Sequence, residues 1–475
     1  MGLHAWVLAV NPERLALIAL NESMGDFSTT IPDAARPNAS GSLAVETGKL
    51  AYNAESAPKV LARAKILENP TAVAILFGLI ALFLFLIGIR KPEQGYYDEG
   101  FYILPARALL ANVPGPNNGS PPLGKLLIAE GIQLLGDNSL GWRVPGAIFG
   151  ALTLTGIFLW TFLLTLELRV AALAASLTLF NNFLFVMSRV AMLDVFLGCF
   201  IVWGLVAYTA ALELDVSAAK RRILFYCSGI SLGLATAVKL NGVDTLAVLI
   251  LLSVALLWLG QKPFMSLNPA LSCYAQRLQQ PGIFHLSAAF VLAPLISYSL
   301  PFWPLCRSLH VPFNFRQLVD ISLYLWRFKV TTQVNMAIAS KWYTWPFHLS
   351  PLRALSYLLG NPVVMWGGIA SLVFSLRRIW KSLALPETLL LVLYLVHWLQ
   401  WAITPVKATF YYYYFPSAMF LGVALALALR HFPRTFFGVR LGFVVLIAAA
   451  VVFLWCVPRM AHLGPPWDCA LGCWI

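Results

Sequence analysis

Apolar runs about twenty residues long recur along this chain from residue 71 to residue 458, and nothing else constrains its fold so strongly. A helix of ~20 apolar residues crosses the hydrocarbon core of a bilayer. Such a segment must be helical, because lipid offers no partner to a backbone N–H or C=O. Eleven spans are predicted, near 71–89, 143–165, 169–187, 190–211, 223–240, 243–260, 283–303, 362–377, 386–403, 415–430 and 440–457. Composition agrees. Apolar residues make up 60% of the 475 and charged residues only 11%, against about 25% in a soluble domain. The expectation is an all-α integral membrane protein with its polytopic domain over 71–458.

Residues 1–58 stand apart. The apolar stretch from Ala5 to Leu20 is broken by Asn11-Pro12-Glu13-Arg14, which makes it a poor signal peptide or span. From Asn21 to Pro58 the chain is rich in Ser, Ala, Asn and Pro and reads as a disordered extension. Residues 59–70, with Lys59, Arg63 and Lys65, read as an amphipathic segment lying in the membrane interface.

The chain carries 33 Lys and Arg against 20 Asp and Glu, a formal charge of +13. In a membrane protein that excess sets topology and favours anionic lipid or phosphate partners, with no nucleic acid implied. One set of short connections holds Arg169, Lys220-Arg221-Arg222, Lys262, Arg277, Arg377-Arg378 and Arg440. Short basic loops stay in the cytoplasm, whereas long ones cross regardless of charge. The long loops near 90–142 and 304–361, and the tail 459–475, therefore face away from the cytoplasm.

On that far side the first long loop begins Tyr96-Tyr97-Asp98-Glu99-Gly100-Phe101-Tyr102. An ionised Asp beside a bound alcohol can take its proton as the oxygen attacks. Equally, two acids can simply cap the helix that starts at Gly100; spacing alone leaves both readings open. The seven cysteines include no Cys-x-x-Cys. Cys306, Cys469 and Cys473 fall on the far side, where a disulfide is chemically allowed; small apolar cysteines are the simpler reading. His285, His348 and His397 show no ligand spacing. No cofactor is required by the pattern, and a divalent metal, if any, belongs at the first-loop carboxylates.

The same loop continues Ser120-Pro121-Pro122-Leu123-Gly124-Lys125-Leu-Leu-Ile-Ala and then Gly141-Trp142-Arg143. Farther on come Ser188-Arg189-Val-Ala-Met-Leu193-Asp194, Gly233-Leu-Ala-Thr-Ala-Val-Lys239-Leu-Asn-Gly242, Ser340-Lys341-Trp342-Tyr-Thr-Trp345-Pro346 and Lys407-Ala-Thr-Phe410-Tyr-Tyr412-Tyr413-Tyr414-Phe-Pro416. In this order, over about 71 to 430, the motifs resemble the protein O-mannosyltransferase family. Its members are multispan glycosyltransferases of the C type (GT-C) that use a polyprenyl-phosphate sugar donor.

That resemblance implies transfer of a sugar, most simply mannose, to a Ser/Thr hydroxyl of a protein on the non-cytoplasmic face, with inversion. Asp98 would activate the acceptor and Glu99 would orient acceptor or base. Charge building on the leaving phosphate calls for fixed cations, for which the candidates are Lys125, Arg189, Lys239 and, more weakly, Arg143. Snorkelling is the plain alternative for the arginines at span ends. Asp194 would support Arg189. Trp342, Trp345, Tyr412 and Tyr413 could face the acceptor, although Trp and Tyr at membrane edges ordinarily form an interfacial belt.

Two departures stand out: Ser120 and Tyr413 occupy positions where the family usually has His. The loop 304–361 is also too short for the β-trefoil module of eukaryotic members, which points to a bacterial or archaeal plasma membrane rather than the endoplasmic reticulum. The departures keep a second acceptor class open, a lipid or glycan in place of protein. A transporter or lipid flippase is the rival of another kind. It would show inverted repeats and midplane charges, whereas here the charges gather at one face.

Overall fold

The computed structural model describes residues 69–95, 97–116, 119–260, 269–331, 339–347, 360–382, 384–406, 409–432, 435–436 and 439–461. The expected extension 1–58, most of the amphipathic segment 59–70, and Cys469 and Cys473 lie outside them. Pro70–Glu213 and Ser217–Ile475 form one compact unit. A second comprises Met1–Asn69 with Leu214–Val216, of which residues 69 and 214–216 are described.

Helices occupy all eleven predicted places. They are α1 (Pro70–Leu86), then α2 (Gly100–Leu110) and α3 (Leu123–Leu135) in the first long loop, α4 (Ser139–Thr165), α5 (Leu168–Leu179), α6 (Asn182–Met187), α7 (Asp194–Glu213), α8 (Ala218–Val238) and α9 (Val243–Leu259). There follow α10 (Pro269–Gln279), α11 (Ile283–Ser308), α12 (Phe315–Thr331) in the second long loop, α13 (Pro362–Ser382), α14 (Leu385–Ile403), α15 (Tyr411–Arg430) and α16 (Leu441–Met460). A two-residue antiparallel pairing, Thr435–Phe436 with Val439–Arg440, is the only strand pairing among the described residues. Eight of the described helices are long and apolar enough to cross a membrane, while α1 and α5 are apolar but shorter.

One predicted span is corrected. Residues 169–187 do not form one helix but break at Phe180-Asn181 into α5 and α6. The break is stabilised by side chains. Asn181 accepts from Phe183 N–H at 3.4 Å and donates to the Ala418 carbonyl, while Asn361 donates to the freed Phe180 carbonyl at 3.0 Å. Inside a bilayer a helix can break only where other groups satisfy its backbone.

Burial sorts the helices. α4, α7 and α15 are mostly enclosed by protein, whereas α9, α11 and α16 leave most of their surface outward for lipid. α7 packs between α4 and α8, and α15 lies against α5 and α13. The short loop helix α3 packs on the start of α4. There Gly141 has no room for a side chain, since a Cβ would sit 2.1 Å from the Gly136 carbonyl oxygen. The Asn138 side chain caps α4 by accepting from Leu140 and Gly141 N–H. This close crossing fixes where Arg143, two residues on, enters the bundle.

Candidate active site

A pocket opens among the ends of α2, α7, α8, α12, α14 and α15. Tyr102, Gly119, Ser120, Asp194, Lys239, Leu240, Asn241, Lys329, Trp401 and Tyr413 line it, around about 510 Å³ of empty space that includes its mouth.

Local chain geometry brings these groups together. α8 ends where Lys239 turns to an extended conformation, and a short 3₁₀ turn over Leu240–Gly242 leads into α9. Asp194 opens α7, a favourable place for an acid at a helix N-terminus. The Lys239 ammonium bonds both Asp194 oxygens, at 2.7 and 2.8 Å. Its outer face lies 5.4 Å from the Tyr412 ring and 5.2 Å from the Tyr413 ring. Sequence reasoning paired Asp194 with Arg189; the structure pairs it with Lys239.

Asp98 stands beside this pair in a 3₁₀ turn, Tyr97–Glu99, at the head of α2. It is half-buried, and the Tyr412 hydroxyl donates to its Oδ2 at 2.8 Å. Burial pushes the Asp98 carboxyl above the usual carboxylate range; the Tyr412 hydrogen bond and the Lys239 charge oppose that shift, and Asp194 adds to it. The group is therefore a stronger base than a free Asp and keeps one oxygen directed by a hydroxyl.

Glu99 goes the other way. It is fully buried and bound by Arg143 through Nε at 2.7 Å and Nη2 at 2.8 Å, and Ala191 N–H donates to Oε1 at 2.9 Å. Arg143, also fully buried, spends Nη1 on the carbonyls of Ile89 and Pro92. Neither residue lines the pocket. Arg143, expected among the phosphate ligands, instead ties the first loop to α4. Arg189 likewise donates to the Phe85 carbonyl at 2.6 Å, at the end of α1, and lies 4.9 Å over the Phe185 ring. Lys125 is buried outside the pocket and donates to the Ser120 carbonyl at 2.7 Å. Of the four expected cations, Lys239 alone lines the pocket.

A lysine that sequence reasoning missed joins it. Lys329 lies 4.8 Å from the Trp401 ring and 5.7 Å from that of Tyr413. Burial and the nearby Lys239 lower its pKa to about 8, against the opposing pull of Asp194 and Asp244. Its signal was present in the sequence. Leu318, Ile321 and Leu325 form the buried stripe of α12, and Lys329 continues that stripe one turn on. A lysine on the apolar face of a loop helix calls for a partner inside.

Aromatic side chains frame the site. Tyr413 stacks on Trp401, centroids 4.5 Å apart. Trp345, a belt candidate by composition, is buried between Trp401 and Tyr414, with its indole N–H donated to Ser340 Oγ at 2.9 Å. Trp342 packs on Trp398 and its carbonyl accepts from the Trp398 indole. Both belong to the wall behind the pocket. Two buried atoms of the lining, Trp401 Nε1 and Asn241 Oδ1, have no hydrogen-bond partner among the described residues. Ser120 and Tyr413, the two departures from the family pattern, both line this one pocket.

A helical membrane bundle with a directed carboxylate beside two pocket-lining lysines fits a glycosyltransferase of the C type. In fold the chain is similar to the Saccharomyces cerevisiae protein O-mannosyltransferase Pmt1-Pmt2 complex bound to the sugar donor, with a TM-score of 0.68 at 13% identity over 85% of this chain and 92% of that one. In sequence, the model of the dolichyl-phosphate-mannose-protein mannosyltransferase family matches residues 118–303. The polyprenol-phosphate-mannose–protein mannosyltransferase of Corynebacterium glutamicum is 30% identical over 222 residues, 40% of this chain and 43% of that protein. The enzyme of the same name from Mycobacterium tuberculosis is 23% identical over 431 residues, 76% of this chain and 80% of that protein. The alignment thus spans less than half of the first relative and four-fifths of the second. The resemblance to the protein O-mannosyltransferases is shown from the side of sequence and of fold, and the chain is an integral multi-pass membrane protein of the GT-C architecture.

Proposed function

We propose that this protein transfers mannose from a polyprenyl-phosphate donor to a Ser or Thr hydroxyl of a protein acceptor. The observation that carries the reading is the placement of Asp98, directed by Tyr412, beside a pocket that holds both Lys239 and Lys329. The acceptor oxygen attacks the anomeric carbon and its proton passes to Asp98. The bond from that carbon to the phosphate oxygen breaks, and polyprenyl phosphate leaves with the electron pair. Attack opposite to departure inverts the sugar carbon. Lys239 and Lys329 bind the donor phosphate, Lys329 equally in ground and transition state and Lys239 more strongly as charge grows on the leaving group. Trp401 Nε1 and Asn241 Oδ1 are a donor and an acceptor suited to sugar hydroxyls, since a buried polar atom without a partner is costly until a ligand supplies one.

Glu99 and Arg143 serve this reaction by holding the turn that carries Asp98. The lysines supply the positive charge, so the scheme draws on no metal. The excess of basic residues in the short loops supports a pocket facing away from the cytoplasm, and the short loop 304–361 supports a bacterial or archaeal plasma membrane.

The test is transfer in proteoliposomes from labelled polyprenyl-phosphate mannose, with peptide, lipid and glycan acceptors offered in parallel. Transfer to a Ser/Thr peptide is expected. Transfer to lipid or glycan alone would replace the acceptor, and a folded protein that consumes no donor would overturn the reading.

A further inference from the structure

Lys125 lies outside the donor pocket and yet is tied to its wall. Its side chain is 3% exposed and lines a separate, mostly apolar cavity with Pro105, Leu109, Pro116, Leu305 and Leu309. From there its ammonium reaches the Ser120 carbonyl at 2.7 Å. Ser120 and the preceding Gly119 line the donor pocket on their other side. Gly119 has a φ of +71° and abuts α12: a Cβ at this position would meet Phe328 Cδ1 at 2.7 Å and the Lys329 backbone nitrogen at 3.5 Å. Lys125 thus holds the Ser120 carbonyl, and Gly119, next along the chain, lies close against α12 beside Phe328 and Lys329.

We infer that Lys125 is a positioning residue: by holding the Ser120 carbonyl it braces the Gly119–Ser120 wall against α12 and so sets where the Lys329 ammonium stands in the pocket. It touches neither donor nor acceptor. An ammonium in apolar surroundings makes a stronger bond to a carbonyl than a neutral amine does. Burial lowers the Lys125 pKa to about 7. The charged groups on the elements around it are engaged or exposed elsewhere: Arg107 pairs with Asp137 at 2.8 Å, Arg307 and Glu130 are exposed, and Cys306 is buried in its own cluster. The brace is thus strongest below about pH 7 and slackens as pH rises through that value.

The inference rests on the proposed donor chemistry for its kinetic test and has a second test that does not. Lys125→Met should raise KM for polyprenyl-phosphate mannose by about tenfold and change kcat by less than about threefold, the split expected of lost ground-state positioning. It should also abolish the rise in KM that the wild type shows from about pH 7, leaving the rise near 8 that belongs to Lys329. Gly119→Ala should raise KM in the same direction, and the double variant should be no worse than the poorer single one, because both act through one wall. Amide hydrogen exchange across 119–124 and 325–331 should quicken in Lys125→Met, with the rest of the bundle unchanged.

An unchanged KM, or effects that multiply in the double variant as for an independent phosphate ligand, would overturn the inference. So would unchanged exchange in those two segments. If the wild type consumes no donor, the functional reading falls while the exchange experiment still decides the brace.

Discussion

Asp98 and Glu99 are neighbours in sequence and opposites in surroundings. Asp98 is half-buried, directed by one tyrosine and raised in proton affinity, beside a pocket with two lysines. Glu99 is sealed from solvent with its oxygens taken by Arg143 and a backbone amide. A 3₁₀ turn advances about a third of a revolution per residue, so one step along it is enough to send the two side chains apart. The same contrast holds for the cations. Arg143 is consumed by the fold, whereas Lys239 and Lys329 face the pocket. On the proposed function, what separates the charges assigned to catalysis from the structural ones is whether the fold leaves a face of the group open.

The largest expected effect breaks that contrast at its open end. Asp98→Asn should lower transfer by about 10²–10⁴-fold, the usual worth of a general base. Binding of polyprenyl phosphate, followed by quenching of tryptophan fluorescence, should stay within about threefold. Next comes the sealed end. Glu99→Ala strands the Arg143 guanidinium and should cost about 3–5 kcal/mol of stability, visible as a lowered midpoint of thermal unfolding in detergent.

Lys329→Met should raise the donor KM by about tenfold or more, since a charge-assisted contact to phosphate is lost. In the wild type, donor affinity should fall as pH rises through about 8, where Lys329 gives up its proton. That alkaline limb should be missing from the variant. Tyr412→Phe is the smallest change, about tenfold or less in kcat for one hydrogen bond to a charged group. Its signature lies in the sign of a pH shift. The Tyr412 bond holds the Asp98 proton affinity down, so its loss should move the acidic limb of the rate profile to higher pH.

Much of the fold was legible because hydropathy reads span by span: helices occupy each of the eleven predicted places. The break at Phe180-Asn181 was hidden, because two polar residues in an apolar run do not reveal that Asn361, far along the chain, will satisfy the freed Phe180 carbonyl while Ala418 anchors the Asn181 side chain. Asp98 and Lys239 could be named from local motifs. The partnership of Lys239 with Asp194 spans 45 residues and follows from the packing of α7 on α8, which no local pattern encodes. The burial of Arg143 and Arg189 was equally invisible, since their partners are mostly backbone carbonyls, a property of position rather than of residue type. Lys329 was legible in principle as a lysine continuing the apolar stripe of α12. Its neighbours Trp401 and Tyr413 come from α14 and α15, and only the folded chain brings the three together.

The division of labour between the adjacent acids is tested most directly by measuring mannose transfer per folded molecule for Asp98→Asn and Glu99→Gln side by side in proteoliposomes, with the folded fraction of each taken from its unfolding curve. The prediction is a well-folded, nearly inactive Asp98→Asn protein and a poorly folded Glu99→Gln protein whose surviving molecules transfer at close to the wild-type rate. An active Asp98→Asn protein, or a well-folded Glu99→Gln protein without activity, would contradict it.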